Sequence, residues 1–364
     1  MTRDGIDDPD AHPYSLDVTG SGSKAARMRL TIGTLALALA GAASLQDQTA
    51  PRLAAEIDRA RAALEASAPA DERGAPIARL DRAKAALDAG RLYLAAYLAE
   101  SPWEAGVTWT FVKASADVTT EEAFERKWTA IGAPRPVPAP QARVPAVIAA
   151  LAAIAEARGP ATYQASRPYA QDSGLFGGLY YLGDAHAVMQ FAATVRAMGW
   201  PGAATAPAFR SIAAEIAAFD AEMTTAYEKM ERTNHPTYIS ASAALKQART
   251  LNEGSGYGGA LFEYLLARYL FAPLRGPASA EATAARIEAA RAALPGGGDH
   301  SIAEFFLQLA AEGLTGTDAQ RRGTAAVLDD VLPAYVAATS AAATTASAAG
   351  GAKVTITLVR WPFT

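Results

Sequence analysis

The sequence contains no cysteine among its 364 residues. This absence excludes disulfide bonds, cysteine-ligated zinc, iron–sulfur centres and a thiol nucleophile. The chain also lacks a basic excess, since its formal net charge is −4 and its pI is about 5.7. Without positive charge to hold a phosphate backbone, it is not expected to bind nucleic acid.

Histidine is scarce, and its four copies, His12, His186, His235 and His300, lie in separate segments. No helix would carry two of them four residues apart, as a helical zinc site requires. Asp184 and His186 are two residues apart, which places them about 200° apart around a helix. The sequence therefore predicts no metal site, no cofactor and no set of catalytic residues.

Alanine is abundant, with 91 copies, and arginine outnumbers lysine 26 to 7. Such usage indicates a GC-rich genome and hence a bacterium. Alanine is the best helix former and is small enough to let helices approach closely. An alanine-rich chain with 51% hydrophobic residues is therefore expected to fold as closely packed helices.

The N-terminal part has the pattern of a secretory signal peptide. Residues 1–27 are acidic and aperiodic, and we expect them to be disordered or to lie upstream of the true start. Met28 is followed by an arginine, then by eleven uncharged residues (Leu30–Ala40) and an A-x-A pattern. A membrane span needs about 20 residues, so we favour a signal peptide over 28–42. The mature chain, Ala43–Thr364, would then be soluble, without a membrane span, and periplasmic or secreted.

Apolar residues recur at steps of three and four through most of the mature chain, which is the pattern of amphipathic helices. Short connections marked by Gly or Pro favour antiparallel neighbours. The predicted fold is all-α, an irregular stack of antiparallel helical hairpins with one short C-terminal β-strand. Helices are predicted over about 50–67, 76–100, 175–198, 238–251, 257–271, 278–294 and 317–338, and along an apolar stripe from Phe209 to Met230.

Local signals refine these helices. Thr119-x-x-Glu122 and Ser301-x-x-Glu304 are capping boxes that predict helix starts. Pro333 is expected to kink the last helix. The segment Gly254–Gly259 matches G-x-G-x-x-G, but it follows a helix instead of a strand. It is therefore interpreted as a turn between helices, not as a dinucleotide fingerprint.

Five prolines within residues 133–145 indicate an extended linker. We divide the chain there into an N-terminal helical region, 43–132, and a main helical domain, 146–345, followed by a tail, 346–364. The alternative is a long ordered loop within a single domain.

The tail ends in a segment that alternates like a β-strand, Lys353–Trp361. A strand needs a partner for its hydrogen bonds. Within the chain the only good candidate is Val107–Lys113, which alternates but also fits a helix, the assignment that we favour. If it is helical, the tail strand is expected to pair with another chain.

One segment, Tyr163–His186, is unusually rich in aromatic residues interleaved with glycine. Aromatic side chains with polar tips beside small residues can line a ligand pocket between helices. The alternative is aromatic packing where glycine lets helices approach. The candidate ligand-binding residues are Tyr169, Phe176, Tyr180, Tyr181, Asp184 and His186.

The sequence favours an exported helical scaffold or binding protein without catalytic activity. Its partner would be another protein, bound through a helical surface or through Lys353–Trp361. The alternative is a small-ligand-binding protein or a metal-assisted enzyme with its site around Tyr163–His186.

The tail strand can be tested by deletion. Removing residues 350–364 is expected to change folding or oligomeric state, because either pairing would be lost. Circular dichroism and light scattering on the two chains measure both properties. An unchanged fold and oligomeric state would contradict both pairings.

Overall fold

The computed structural model describes residues 40–135, 144–172, 174–201, 209–228, 230–275 and 281–345. Across these ranges the protein is all-helical, and no strand occurs in them. None of the helices described has both the length and the apolar character that a membrane span needs. The strand predicted at 353–361, nearly all of the predicted signal peptide and most of the proline-rich segment lie outside the described residues.

The α-helices of the described ranges follow one another with short connections. They are α1 (Ala40–Ser67), α2 (Gly74–Asp88), α3 (Leu92–Ala114), α4 (Glu121–Ile131), α5 (Ala146–Asp172), α6 (Leu175–Ala197), α7 (Ala213–Tyr227), α8 (His235–Glu253), α9 (Tyr257–Phe271), α10 (Ala284–Ala292), α11 (Ser301–Gly313), α12 (Asp318–Ala326) and α13 (Leu332–Thr345). Short 3₁₀ turns precede α8 and follow α9, and a π-helical turn, Val327–Val331, joins α12 to α13.

Helices that are consecutive in the chain pack side by side, as the pairs α2–α3, α5–α6 and α8–α9 do. The pairs are joined through α3, which contacts α1, α2, α6 and α11, and through α5, which contacts α6, α9 and α11. The helices α3, α6, α5, α9 and α8 thus form a continuous series of neighbours.

One large buried cluster extends from Leu53 in α1 to Ala338 in α13. It therefore includes helices from both sides of the proline-rich segment 133–145. A smaller cluster around Phe124 packs α4 against α5 and α6. The proposed division of the chain at 133–145 stays a prediction, but the apolar packing is continuous across it.

The helix predicted over 76–100 is in fact two helices. A break at Ala89–Arg91 separates α2 from α3, and Gly90 adopts a positive φ of 74° that only glycine tolerates readily. The segment Val107–Lys113 lies within α3, so the favoured helical assignment is confirmed. An intramolecular strand pair between this segment and the tail is excluded.

Helix α5 was not predicted, because Pro160 and Pro168 interrupt its sequence and proline normally ends a helix. Helix α7 is shorter than the apolar stripe that predicted it: Ile216, Phe219 and Met223 are buried within it, whereas Phe209 and Met230 lie beyond its ends. The segment Gly254–Gly256 connects α8 to α9, as predicted.

The N-terminus of α5 is capped by side chains that come from the start of α11. Asp299 Oδ2 accepts a hydrogen bond from the Ala146 N–H at 2.5 Å, and Ser301 Oγ accepts one from the Val147 N–H at 3.0 Å. The second oxygen of Asp299 accepts from the Ser301 N–H at 2.8 Å. One buried carboxylate thus serves the first turns of two helices.

Two further helices are capped from a distance. Gln308 of α11 accepts from the Leu94 N–H in the first turn of α3 at 3.1 Å. Asn252 of α8 accepts from the Ile212 N–H at the start of α7 at 2.8 Å. Both amide side chains are buried. The buried starts of these helices are satisfied by residues remote in sequence, which local patterns do not reveal.

The two predicted capping boxes are wrong in detail. Helix α4 is capped by Thr120, one residue after the predicted Thr119. Ser301 caps α5 and not its own helix, and Glu304 instead forms two hydrogen bonds with Arg291. At the start of α11, tertiary partners have therefore replaced the local ones, whereas the cap of α4 is local but shifted by one residue.

Pro102 lies inside α3, where its missing N–H leaves the carbonyl one turn earlier without its helical donor. Arg79 of α2 supplies the donor, because its Nε donates to the Leu98 carbonyl at 3.0 Å and its Nη2 to the Tyr97 carbonyl at 3.3 Å. These two hydrogen bonds tie helix α2 to the middle of α3.

Pro333 lies two residues after the end of the π-helical turn Val327–Val331, where the regular α-helical hydrogen bonding is interrupted.

The long-range cap of α5 can be tested with Asp299→Ala. Two buried N–H groups lose their acceptor, so we expect the free energy of unfolding to fall by about 2 kcal/mol. Urea unfolding measures it. The exposed Asp71 is the matched control, and Asp71→Ala should change the value by less than about 0.5 kcal/mol. Equal effects of the two substitutions would show that the cap contributes nothing.

Candidate functional site

Four of the six predicted site residues come together around a tryptophan that was not predicted. Trp109 of α3 lies 5.7 Å from Phe176 and 5.4 Å from Tyr180 of α6, measured between ring centroids. Tyr180 lies 6.3 Å from Tyr181, which stacks on Tyr169 of α5 at 3.9 Å and an interplanar angle of 9°. We call Trp109, Tyr169, Phe176, Tyr180 and Tyr181 the aromatic surface.

The aromatic surface has a buried base and an exposed rim. Trp109 is buried, whereas Phe176 is 57% exposed and Tyr169 is 39% exposed. Large aromatic side chains dominate interface energetics, so clustered exposed rings indicate a binding surface. Each exposed ring has a packed neighbour, Trp109 for Phe176 and Tyr181 for Tyr169, that limits its rotation.

Close helix approach positions these rings. A Cβ atom added at Gly183 of α6 would lie 2.8 Å from the Phe111 ring of α3, and one added at Gly178 would overlap Ala170 of α5. Glycine at these two positions therefore lets α6 pack tightly against both neighbours. The close approach of α6 to α3 and α5 at these glycines therefore accounts both for the contacts between aromatic rings and for the position of the aromatic surface.

Two acidic side chains, Asp184 and Glu72, act on the tyrosines of the aromatic surface. Burial raises the pKa of Tyr180 well above its usual value, and the negative charges of Asp184 and Glu72 raise it further. Burial, together with a hydrogen bond to Tyr169, raises the pKa of Tyr181 to about 12. Asp184 follows Tyr180 by four residues on α6 and so lies on the same helix face.

His186, the sixth predicted residue, is separate from this surface. Burial lowers its pKa, and a hydrogen bond to the Gly132 backbone partly opposes that effect. Its buried Nε2 atom has no hydrogen-bond partner. The Nδ1 atom of His300 lies 2.9 Å from the Tyr335 hydroxyl. The histidines thus have different surroundings, and no group of three or more potential metal ligands occurs in the described part of the chain.

A second cluster, which the sequence analysis missed, lies in the core between α3, α5 and α9. It consists of Glu100 and Glu104 of α3, Arg158 of α5 and Glu263 of α9, and we call it the buried carboxylate centre. Glu104 is 4% exposed and accepts a hydrogen bond from Arg158 Nη2. Glu263 is 2% exposed, and its Oε2 atom, like Oε1 of Glu104, is buried without a hydrogen-bond partner.

Burial shifts the pKa of all three carboxyl groups upward. The pKa of Glu104 rises to about 8, because burial and the negative charges of Glu100 and Asp184 outweigh Arg158. The pKa of Glu263 also rises to about 8, through burial and the charge of Glu100. Burial raises the pKa of Glu100 against the opposing charges of Arg158 and Arg79.

The buried carboxylate centre had a recognisable signal in the sequence. Glu100 and Glu104 are the only carboxylates of α3, and Glu263 is the only one of α9, two helices that are otherwise largely apolar. An acidic residue in such a helix indicates a buried charge with a partner. The three carboxyl groups of the centre are buried, whereas the Arg158 side chain is 27% exposed, so the chemistry that the centre supports directly is the gain and loss of protons.

Comparisons with known proteins do not identify a relative. No protein-family model, curated protein or solved structure matches the chain.

The raised pKa values predict how stability depends on pH. A carboxyl group whose folded pKa is about 8 retains its proton in the folded state at pH values where the unfolded chain has lost it. The free energy of unfolding therefore falls as pH rises from about 5 to 8.

Glu263→Gln isolates one of these groups, since the amide stays neutral. The difference in unfolding free energy between wild type and Glu263→Gln should shift in favour of the variant by about 1.4 kcal/mol per pH unit between pH 5 and 8. Urea unfolding at pH steps measures it, with the exposed Glu65→Gln as control. A pH-independent difference for Glu263→Gln would show that its pKa is not raised.

Proposed function

We propose that the protein is an exported helical binding protein without catalytic activity that recognises its ligand at the aromatic surface. The single observation that carries this proposal is the exposure of Phe176 and Tyr169 beside the buried Trp109. Export rests on the predicted signal peptide over 28–42. A periplasmic or extracellular location in a bacterium follows from it.

An exposed aromatic ring stabilises the fold less than a buried one. About half of the aromatic side chains in the described part of the chain are buried in its core, where burial stabilises the fold. Phe176 leaves more than half of its surface in water and gains only part of that stabilisation. A ligand that covers the ring would gain the remainder, and the ring needs little further ordering because its neighbours already restrain it.

The metal-assisted enzyme that the sequence left as an alternative has less support. It requires His186 and carboxylates from other helices to converge on one point. The influences on the His186 pKa are burial and the Gly132 backbone, whereas Asp184 acts on Tyr180 and Glu104. The alternative of a small-ligand-binding protein agrees with the proposal and uses the same aromatic residues.

We further propose that the helices form antiparallel hairpins and that the protein has a second partner. The side-by-side helix pairs and their short connections support a stack of antiparallel helical hairpins. Since Val107–Lys113 is helical, the predicted tail strand Lys353–Trp361 would pair with another chain. Another protein would then be a second partner, bound apart from the aromatic surface.

The binding function can be tested with a survey of small compounds by ligand-observed NMR. We expect compounds that bind the wild-type protein and lose binding in the double variant Tyr169→Ser, Phe176→Ser, because the exposed ring faces are removed. The matched control is Tyr227→Ser, which removes an exposed tyrosine of α7. The proposal is wrong if no compound binds, or if the double variant binds as well as the wild type.

A further inference from the structure

We propose that Tyr169 of α5 and Tyr181 of α6 are a site of oxidative cross-linking, at which a one-electron oxidant joins the two rings as dityrosine. This modification goes beyond the proposed binding function and does not depend on it. The observation that carries it is the stack of the two rings, whose centroids lie 3.9 Å apart at an interplanar angle of 9°. Because the chain contains no cysteine, no thiol competes for the oxidant.

The two rings point in the same direction within the stack. The side chain of Tyr181 forms a hydrogen bond with that of Tyr169, and the hydroxyl group is the only polar group in either side chain. Rings that pointed in opposite directions would hold their hydroxyl groups at opposite ends of the stack, too far apart for this bond. The ortho carbons beside the two hydroxyl groups therefore face each other across the stack.

This arrangement suits the coupling of two tyrosyl radicals. Loss of one electron and the hydroxyl proton leaves an unpaired electron in the π system of the ring, shared between the oxygen and the ortho carbons. Two such radicals form a carbon–carbon bond between ortho carbons through their ring faces, which a stack presents to each other. The two ortho hydrogens then leave as protons, the two oxygens regain protons, and both rings become aromatic again.

The oxidant class that we name is the oxidised haem of a peroxidase, which takes one electron at a time. In total, each tyrosine gives up one electron and one proton. One hydrogen peroxide accepts both electrons and both protons and becomes two water molecules. The reaction therefore consumes one peroxide for each dityrosine formed.

The pair is accessible from solvent. Tyr169 is 39% exposed and lies three residues before the end of α5. Its electron can be taken at the surface, and its hydroxyl proton can pass to water. The new bond is shorter than the stacking distance, and Tyr169, as the exposed ring near a helix end, is the one that moves to form it.

A close contact between the helix backbones holds the pair together. Ala170 directly follows Tyr169, and a Cβ atom added at Gly178, about one turn before Tyr181, would overlap Ala170. Helices α5 and α6 therefore approach each other closely at the level of the two rings. A bond at this point joins the two helices covalently, as a disulfide does in chains that contain cysteine.

The test treats the full chain with a haem peroxidase and hydrogen peroxide and identifies the products by mass spectrometry. Cleavage before Asp172 separates Tyr169 from Tyr181, so their link joins two peptides that are otherwise released separately. At micromolar protein, this link should exceed links between chains by at least about tenfold, because the two rings are already held together.

A second pair of tyrosines provides the matched comparison. Tyr227 and Tyr238 lie 4.8 Å apart between ring centroids, but their rings are inclined at 40°. Tyr227 is 48% exposed, more than Tyr169, so access to the oxidant alone would favour this second pair. Cleavage after Arg232 separates its two members. We expect the stacked pair to give the higher yield of dityrosine.

Phenylalanine variants locate the bond. Tyr169→Phe and Tyr181→Phe each keep the ring but lose the hydroxyl group from which the radical forms, so each should abolish the link. Tyr227→Phe should leave its yield unchanged, and circular dichroism checks that all three variants are folded. The proposal is overturned if the link persists in Tyr181→Phe, if Tyr227 and Tyr238 link as readily, or if dityrosine forms only between chains. Failure to form dityrosine under conditions that couple free tyrosine would also overturn it.

Discussion

The hydrogen-bonding needs of buried helix ends constrain how this protein is assembled. An α-helix leaves its first N–H groups without partners, and burying them unsatisfied is costly. Here Asp299 and Ser301 serve α5, Gln308 serves α3 and Asn252 serves α7. The positions of α3 and α5 relative to α11 therefore depend on polar contacts as well as on apolar packing. Since α3 and α5 contribute residues to both the aromatic surface and the buried carboxylate centre, the positions of both sites depend on these polar contacts.

The buried carboxylate centre and the aromatic surface share a further link, Asp184. Its charge acts inward on Glu104 and outward on Tyr180. Burial in the core makes ionisation of Glu104 costly, whereas the exposed rim around Phe176 leaves charges hydrated. The same helices therefore hold a closed group of acids that favours its protonated form and an open set of rings beside acids. Burial therefore favours the neutral form of these acids, whereas Phe176 and Tyr169 stay exposed at the surface.

The sequence predicted most accurately those helices whose ends are marked by residues within or beside the helix itself. Helices α6 and α9 begin and end within one residue of their expected bounds, because apolar spacing and flanking glycines are properties of the segment itself. Helix α5 was not predicted because it contains Pro160 and Pro168, and proline within a segment normally indicates that a helix ends there. Four aromatic site residues were found through composition, but Trp109 belongs to another helix and only the fold brings it to them. The sequence marks Glu100, Glu104 and Glu263 as the acids of largely apolar helices, but only the fold shows that α3 and α9 bring them together beside Arg158 of α5.

The caps from α11 also bear on the order in which the chain can fold. Leu94 and Gln308 are separated by 214 residues, and Ala146 and Asp299 by 153. During synthesis the N-terminal helices emerge long before the residues that complete their hydrogen bonds and their share of the core. Contacts of such long range are acquired late and slow the overall reaction. A nascent chain that has not yet reached residue 299 thus cannot form these caps, and truncation before residue 299 removes the caps of α3 and α5 together.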